Sequence, residues 1–324
     1  MALTLTGVDV RPYTHPLGLR TARGAFGERR GWHLTLRAGD RVGHGDAAPW
    51  PGFGADAPTV EAALAALDLT GRPVPVDHPA ELRAFLRDLA LPSPAAYAVE
   101  LALADLAAAR RGLSLARWLA PSSTAVVTHQ LVDTPAEARA AVAAGYTTLK
   151  VKVAAAPLAD DAARVGAIRD AAPTAALRLD ANGGWDRSTA TAALAALGRH
   201  APSWIEQPLA PADHDGLRWL RARSPIPIAL DESVAHFGEA ALDPDTCDAV
   251  VLKPMFVGGL HGALALARRA RARGLMVCVT HALESPVGRR GALHLAAAIG
   301  EGIHGVGDRP VEPVPAEPGL GVAP

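Results

Sequence analysis

Thr148-Leu149-Lys150-Val151-Lys152-Val153 is the stretch on which the reading of this chain turns. Its apolar residues describe a strand, and its two lysines fall at alternate positions. Successive side chains of a strand point to opposite faces, so Lys150 and Lys152 share one face. In a closed barrel that face is the interior. The strands expected downstream repeat the arrangement. Leu177-Arg178-Leu179 runs into Asp180, Trp204-Ile205 into Glu206, Ile228-Ala229-Leu230 into Asp231, and Val250-Val251-Leu252 into Lys253. Successive strands thus each deliver an ionisable group at or near the C-terminal end, where barrel active sites are assembled.

Outward from this stretch, the chain from about residue 124 alternates short apolar strands with helices. The candidate strands are Ala125–Thr128, Thr148–Val153, Ala176–Asp180, Trp204–Glu206, Ile228–Leu230, Ala249–Leu252 and Met276–Thr280. Ala-rich helical segments such as Pro135–Ala144 and Ser188–Leu197 separate them. This alternation implies parallel strands with helical crossovers. So many units in so short a stretch favour a closed barrel over an open doubly wound sheet. No Gly-rich phosphate loop follows the first strand, which also argues against a dinucleotide fold.

Residues 1–118 read differently, as strands followed by helices. Leu3, Leu5, Val8 and Val10 suggest a first strand, and Trp32, Leu34 and Leu36 begin a hairpin that turns at Ala38-Gly39-Asp40 and returns over Arg41–Gly45. Pro49-Trp50-Pro51-Gly52-Phe53-Gly54 must be a loop. Helices are predicted near 57–67, 79–90 and 94–111, the last stopping at Gly112. Arg23, Arg29 and Arg30 are expected in a mobile loop over the barrel mouth, where solvated surface competes with binding a carboxylate.

The 324 residues are 49% hydrophobic and 20% charged, with a net charge of −1. That balance permits a large core and argues against sequence-independent nucleic-acid binding, which needs a cationic surface. Cys247 and Cys278 lie in apolar surroundings and suit a reduced, cytoplasmic setting. The start of the chain lacks the pattern of a secretory signal, and no apolar run is long enough to span a membrane. Self-association into a homo-oligomer is left open.

Three carboxylates from three consecutive strands, flanked by lysines, would repel one another unless a cation sat among them. An all-oxygen site with open positions suits Mg²⁺. A lysine base must lose its proton near neutral pH although its free pKa is about 10.4. A second lysine and a divalent cation both push it down, toward the ~7–8 useful in catalysis. A single acid after a strand is usually a helix cap and a single lysine usually solvated; ionisable groups in phase on neighbouring strands are neither.

These residues carry a family resemblance. Lys150-Val151-Lys152, Asp180-Ala181-Asn182, Glu206-Gln207-Pro208, Asp231-Glu232-Ser233 and Lys253-Pro254 followed by Gly258-Gly259 resemble, in order and spacing, the motifs of the enolase superfamily. The branch they most resemble is that of muconate-lactonising enzymes and o-succinylbenzoate synthases. The resemblance implies an α/β fold: a modified (β/α)₇β TIM-type barrel at 119–303 beneath an α+β capping domain at 1–118, completed by about 304–324 through Pro318-Gly319-Leu320-Gly321. It implies Asp180, Glu206 and Asp231 as ligands of Mg²⁺, with Mn²⁺ able to substitute. Lys152 is implied as the base, Lys253 as its counterpart across the substrate and Lys150 as the neighbour that lowers the base's pKa. Glu232, next to Asp231, is expected to point away by strand alternation.

Gly45-Asp46-Ala47-Ala48-Pro49-Trp50-Pro51-Gly52-Phe53 and Ala282-Leu283-Glu284-Ser285-Pro286-Val287-Gly288 resemble a cap loop and an eighth-position motif of the synthases, with Asp46 where Glu is usual. Phe53, His281, Ala282 and Leu283 are accordingly candidate substrate contacts. The implied reaction is a Mg²⁺-dependent syn dehydration of a small carboxylate to o-succinylbenzoate, on the route to menaquinone, through an enediolate whose charge the metal offsets. The same lysine pair supports 1,1-proton transfer, as in N-acylamino-acid racemases and dipeptide epimerases. The latter are expected to carry an Asp-x-Asp pair, where Gly307-Asp308-Arg309 has one Asp. His281 is read as a substrate contact or structural residue in preference to a base, because the preceding strand offers Lys253 and not an Asp. A non-catalytic barrel and a metal-free Schiff-base aldolase are the alternatives of other kinds.

Overall fold

The alternation seen at Trp32-Leu34-Leu36 runs much further than the sequence suggests. In the computed structural model, which describes residues 2–77, 79–121 and 125–322, a short β1 (Leu3–Thr4) leads into two long antiparallel strands, β2 (Gly7–Thr21) and β3 (Gly24–Ala38). β4 (Arg41–Ala47) completes that sheet. The predicted mobile loop is therefore the outer half of a regular ribbon, and Arg23 sits at its tip. The outer half leaves little trace in the sequence because a two-stranded ribbon need not bury a face, so its apolar alternation is weak. Pro12 and Pro16, beside a register shift between Pro16 and Leu19, blur it further.

The cap continues with α1 (Ala57–Ala65), β5 (Pro73–Val74), which pairs with β1, α2 (Pro79–Asp88), α3 (Ser93–Arg110) and α4 (Leu115–Leu119). Helix α3 is buried around nearly its whole circumference, as befits a helix packed on both sides. One side meets β4 so closely that a Cβ on Gly45 would lie 2.0 Å from the Ala98 carbonyl oxygen, so only glycine fits. The acids that interrupt its apolar run are buried and accept backbone N–H groups of other segments. Glu100 accepts the Leu260 and His261 backbone N–H groups at 2.8 and 3.0 Å. Asp105 accepts His44 N at 2.9 Å and Leu320 N at 2.7 Å, which ties the C-terminal tail beneath the cap.

The barrel runs β6 (Val126–Thr128), β7 (Gln130–Leu131), α5 (Pro135–Ala143), β8 (Thr148–Lys152), α6 (Leu158–Ala171), β9 (Ala176–Asp180), α7 (Arg187–Gly198), β10 (Trp204–Glu206), α8 (His214–Arg221), β11 (Ile228–Leu230), α9 (Glu232–Phe237), β12 (Ala249–Leu252), α10 (Gly259–Ala272), β13 (Met276–Val279), α11 (Pro286–Ile299), β14 (Ile303–His304) and β15 (Val311–Glu312). A seven-stranded parallel sheet carries β7 to β13 in chain order. The first candidate strand, 125–128, does not pair with β8; β7 does, and β6 instead lies between β14 and β15. That pairing closes the ring. β13 meets the strand of β14 through a parallel bridge between Thr280 and Gly305. His129 N, between β6 and β7, donates to His304 O at 2.8 Å. The outcome is a (β/α)₇β barrel, its apolar core continuous from Leu149 and Leu177 to Val279. Among the described residues, no helix is long and apolar enough to cross a membrane.

Candidate active site

Strand register builds the site. Lys152 stands level with Asp180, and Asp180 with Glu206. Asp231 and Lys253 follow β11 and β12 by one residue. Asp180, Glu206 and Asp231 are each 1% exposed. Their oxygens meet the lysines directly. Lys150 Nζ lies 2.7 Å from Asp180 Oδ2 and 2.8 Å from Glu206 Oε2. Lys152 Nζ donates to Asp180 Oδ2 at 2.6 Å and to Asn182 Oδ1 at 2.8 Å, while Lys253 pairs with Asp231. β8 and β12 are separated by β9, β10 and β11, which sets Lys152 and Lys253 on opposite sides of the barrel.

The electrostatics follow from packing so many charges out of water. Burial, together with the charges of Asp180 and Asp231, pushes Glu206 up to about 7 against the opposing pull of Lys150. Burial also raises Asp231, outweighing Lys253. Asp180 goes the other way: burial would raise it, but Lys150 and Lys152 together hold it well below the usual carboxylate range. Burial pulls Lys150 and Lys253 down, yet the surrounding carboxylates win and hold both above the usual lysine range.

The backbone is strained where these strands end. Ala154, Asn182, Gln207 and Leu283 all have positive φ, at +69°, +48°, +41° and +59°, in a region non-glycine residues rarely enter. Such strain persists only when surrounding contacts over-determine it, and it clusters at functional sites. Gln207 shows how: its Oε1 accepts Asp231 N at 3.2 Å and Ser233 N at 3.0 Å, while its Nε2 donates to Ser233 Oγ and Leu209 O. This fixes the end of β11 and the start of α9.

Above the charges lies a cavity of about 300 Å³. Lys150, Lys152 and Lys253 face it, as do all four predicted contacts, Phe53, His281, Ala282 and Leu283. Lys253 Nζ sits 4.4 Å from the centre of the Phe53 ring, a cation–π contact that brings the cap loop onto a barrel lysine. Of the three cap arginines, Arg23 reaches the cavity, Arg30 is exposed beside Glu28, and Arg29 is 2% exposed. Arg29 donates to Ala282 O at 3.1 Å and to the carbonyls of Ala48 and Pro49, joining the cap loop to the barrel loop. Beside it, Asp46 Oδ2 accepts Ser285 N at 2.9 Å and Ser285 Oγ at 2.6 Å.

Two residues of the quoted motifs take places that strand alternation and family resemblance do not assign them. Glu232 does not point away: it lines the cavity, 0% exposed. Strand alternation fails there because β11 stops at Leu230 and Asp231 adopts αR geometry as the N-cap of α9. Asn182 links the two halves, its Nδ2 donating to Glu232 Oε1 at 3.2 Å while its Oδ1 holds Lys152. Asn182 lies beyond the end of β9 with φ at +48°, where strand alternation no longer applies. Arg23 completes the chain, donating through Nε to Asn182 O at 3.2 Å and lying 3.4 Å from Glu232 Oε1.

The donor set suits a hard divalent cation: three buried carboxylates from adjacent strand ends, with a buried Glu232 oxygen that has no hydrogen-bond partner nearby. Here the lysines take the carboxylate oxygens, and among the described residues no three Asp, Glu, His or Cys side chains form a finished metal cage. The fit rests on donor chemistry.

The model of the family described as enolase C-terminal domain-like matches residues 133–324. The chain belongs to that family. It is 40% identical over 192 residues to an o-succinylbenzoate synthase of Thermobifida fusca (strain YX), a match covering 57% of this chain and 59% of the relative. It thus spans somewhat over half that relative's length. Among solved structures it is similar to a substrate-liganded L-Ala-D/L-Glu epimerase from Bacillus subtilis, with a TM-score of 0.89 at 25% identity over 98% of each chain. It is also similar in fold to a muconate lactonizing enzyme from Pseudomonas fluorescens, with a TM-score of 0.90 at 22% identity over 100% of this chain and 97% of the other. The fold of the whole chain is therefore that of these two structures.

Proposed function

We propose that the protein is a lyase, an o-succinylbenzoate synthase that dehydrates 2-succinyl-6-hydroxy-2,4-cyclohexadiene-1-carboxylate in menaquinone biosynthesis. The observation that carries this reading is the convergence of Lys152 and Lys253 on one cavity beside three buried carboxylates, in a chain 40% identical to a synthase over 192 residues. Lys152 takes the proton alpha to the substrate carboxylate. The same ammonium then returns that proton to the departing hydroxyl, the carbon–oxygen bond breaks, and water leaves as the ring becomes aromatic. Lys253 stays protonated, as its neighbouring carboxylates favour, and faces the negative charge developing on the substrate. Asp180, Glu206 and Asp231 would hold Mg²⁺. When bound, Mg²⁺ supplies positive charge close to the substrate carboxylate and competes with the lysines for the protein carboxylates.

The second reading is 1,1-proton transfer. It is favoured by the placement of the two lysines on opposite sides of the barrel, and by likeness to the Bacillus subtilis epimerase. Asp308 faces the cavity but is paired with Arg289, which leaves it less able to bind a substrate ammonium. Purified protein with Mg²⁺ is expected to convert the cyclohexadiene acid to an aromatic product, followed by ultraviolet absorbance. Epimerisation of L-Ala-L-Glu with no dehydration would replace the first reading by the second.

A further inference from the structure

We propose that His281 is a fixed hydrogen-bond donor to the substrate, presenting Nε2–H to an oxygen of the bound molecule, and is not a base. This deepens the proposed function and rests on the cavity being the substrate site. The argument begins with the turn at His281-Ala282-Leu283. Leu283 sits at φ +59°, which brings its backbone N–H back to the ring of His281, where it donates to Nδ1 at 3.0 Å. A backbone N–H can only donate. Nδ1 is therefore the acceptor, and a neutral ring must carry its proton on Nε2. An imidazolium would set two N–H groups against each other. The turn thus selects both the neutral state and the tautomer.

Contacts from the cap and one within the loop hold this turn in place. Arg29 donates to Ala282 O, Glu284 accepts Ala282 N, and Asp46 and Tyr13 accept Ser285 N at 2.9 and 3.1 Å. The surrounding charges agree with the geometry. Burial, and then Arg289, Lys253 and Lys150, push the imidazole down to about 3 against the opposing pull of Asp308. Burial, with Arg178 and then Lys150, also pushes the His129 imidazole at the cavity well below its ordinary range. Among the described residues, no acceptor meets Nε2 of His281. A base needs a free lone pair facing the substrate; here the lone pair is occupied by Leu283 and the proton is on the other nitrogen. The chemistry that fits is a carbonyl or carboxylate oxygen held on the Lys253 side of the cavity.

The test is ¹⁵N NMR of ring-labelled, Mg²⁺-loaded protein, with the His281 signals identified by their loss in His281→Gln. The expected result is a protonated Nε2 and an unprotonated Nδ1 from pH 5 to 8, and a shift of Nε2 when o-succinylbenzoate is added. In kinetics, His281→Leu should raise KM about tenfold, the cost of one lost hydrogen bond to a charged group, with a smaller fall in kcat. His281→Gln, which keeps an N–H at similar reach, should recover most of that loss. A proton on Nδ1, an imidazolium at pH 7, or an Nε2 signal unmoved by ligand would overturn the proposal. So would a His281→Gln variant that loses solvent exchange of the substrate α-proton as completely as Lys152→Ala. If the protein epimerises dipeptides instead, the product assignment falls while the donor role is still judged, with that dipeptide as the probe.

Discussion

The two walls of the cavity are built on different principles. The barrel wall places Lys150, Lys152, Asp180, Glu206, Asp231 and Lys253 at the ends of adjacent parallel strands, held by ladder hydrogen bonds. The cap wall is a ribbon tip and two loops, held by buried side chains that reach across the chain, chiefly Arg29, Asp46 and Tyr13. The first wall concentrates charge and is suited to moving a proton. The second carries Trp50 and Phe53, braces the barrel turn at Leu283, and is suited to shaping what enters. Chemistry and fit are thereby assigned to separate pieces of backbone, and each can be disturbed by itself.

The sharpest separation comes from Lys152→Ala. Loss of the base is expected to lower kcat by about 10³-fold or more, with an unchanged melting profile, checked by turnover and calorimetry on the same sample. A change in KM alone would move Lys152 out of the chemistry. On the cap side, Arg29→Met leaves three buried carbonyls unmet and strips the counter-charge from Glu284 and Asp46. A loss of about 2–4 kcal/mol is expected, together with a rise in KM, measured by urea unfolding and steady-state kinetics. If instead kcat fell with KM unchanged, the two walls would not divide as stated.

Metal sharpens the barrel side. At Mg²⁺ about 100-fold above its dissociation constant, stabilisation of about 2.7 kcal/mol is expected. EDTA or Glu206→Gln should remove it, with thermal unfolding as the readout. The seam between cap and barrel has its own pH signature. Burial, with Asp46 next, raises Glu284 from 4.5 to about 7. The folded state therefore holds this proton where the unfolded chain has lost it, so stability falls as pH rises from about 4.5 through about 7. Asp46, raised in the same direction, adds to the fall. Glu284→Gln should flatten it by about 1–3 kcal/mol, measured as unfolding free energy against pH. The smallest effect is expected for Arg23→Ala. Its side chain is 27% exposed and its contact with Glu232 is 3.4 Å, so stability should change by less than about 1 kcal/mol, with KM rising a few-fold as Asn182 loses a neighbour.

Most of the barrel is legible in the amino-acid sequence. The candidate strands at 148–153, 176–180, 204–206, 228–230 and 249–252 match β8 to β12 within a residue, because a buried parallel strand must be apolar and its polar residues are confined to the ends. The cap helices are legible for a similar reason, down to Gly112 with φ +66° after α3. Illegible are the outer ribbon, whose half-exposed strands impose no strong pattern, and β7, which has only two residues. The role of Glu232 is also hidden. A one-residue difference between strand end and helix start decides which way it faces, and alternation carries no information past that boundary.

By itself, then, the sequence determined which ionisable groups meet and in what order around the ring, since period and strand order are local properties of the chain. Tertiary structure alone decided what stands over them. Arg23 reaches Asn182 across 159 positions and Arg29 reaches Ala282 across 253. That second contact braces the turn at Leu283, on which the proposed tautomer of His281 rests. No local pattern encodes such contacts, because they exist only where the cap closes on the barrel and buries polar groups that must find partners.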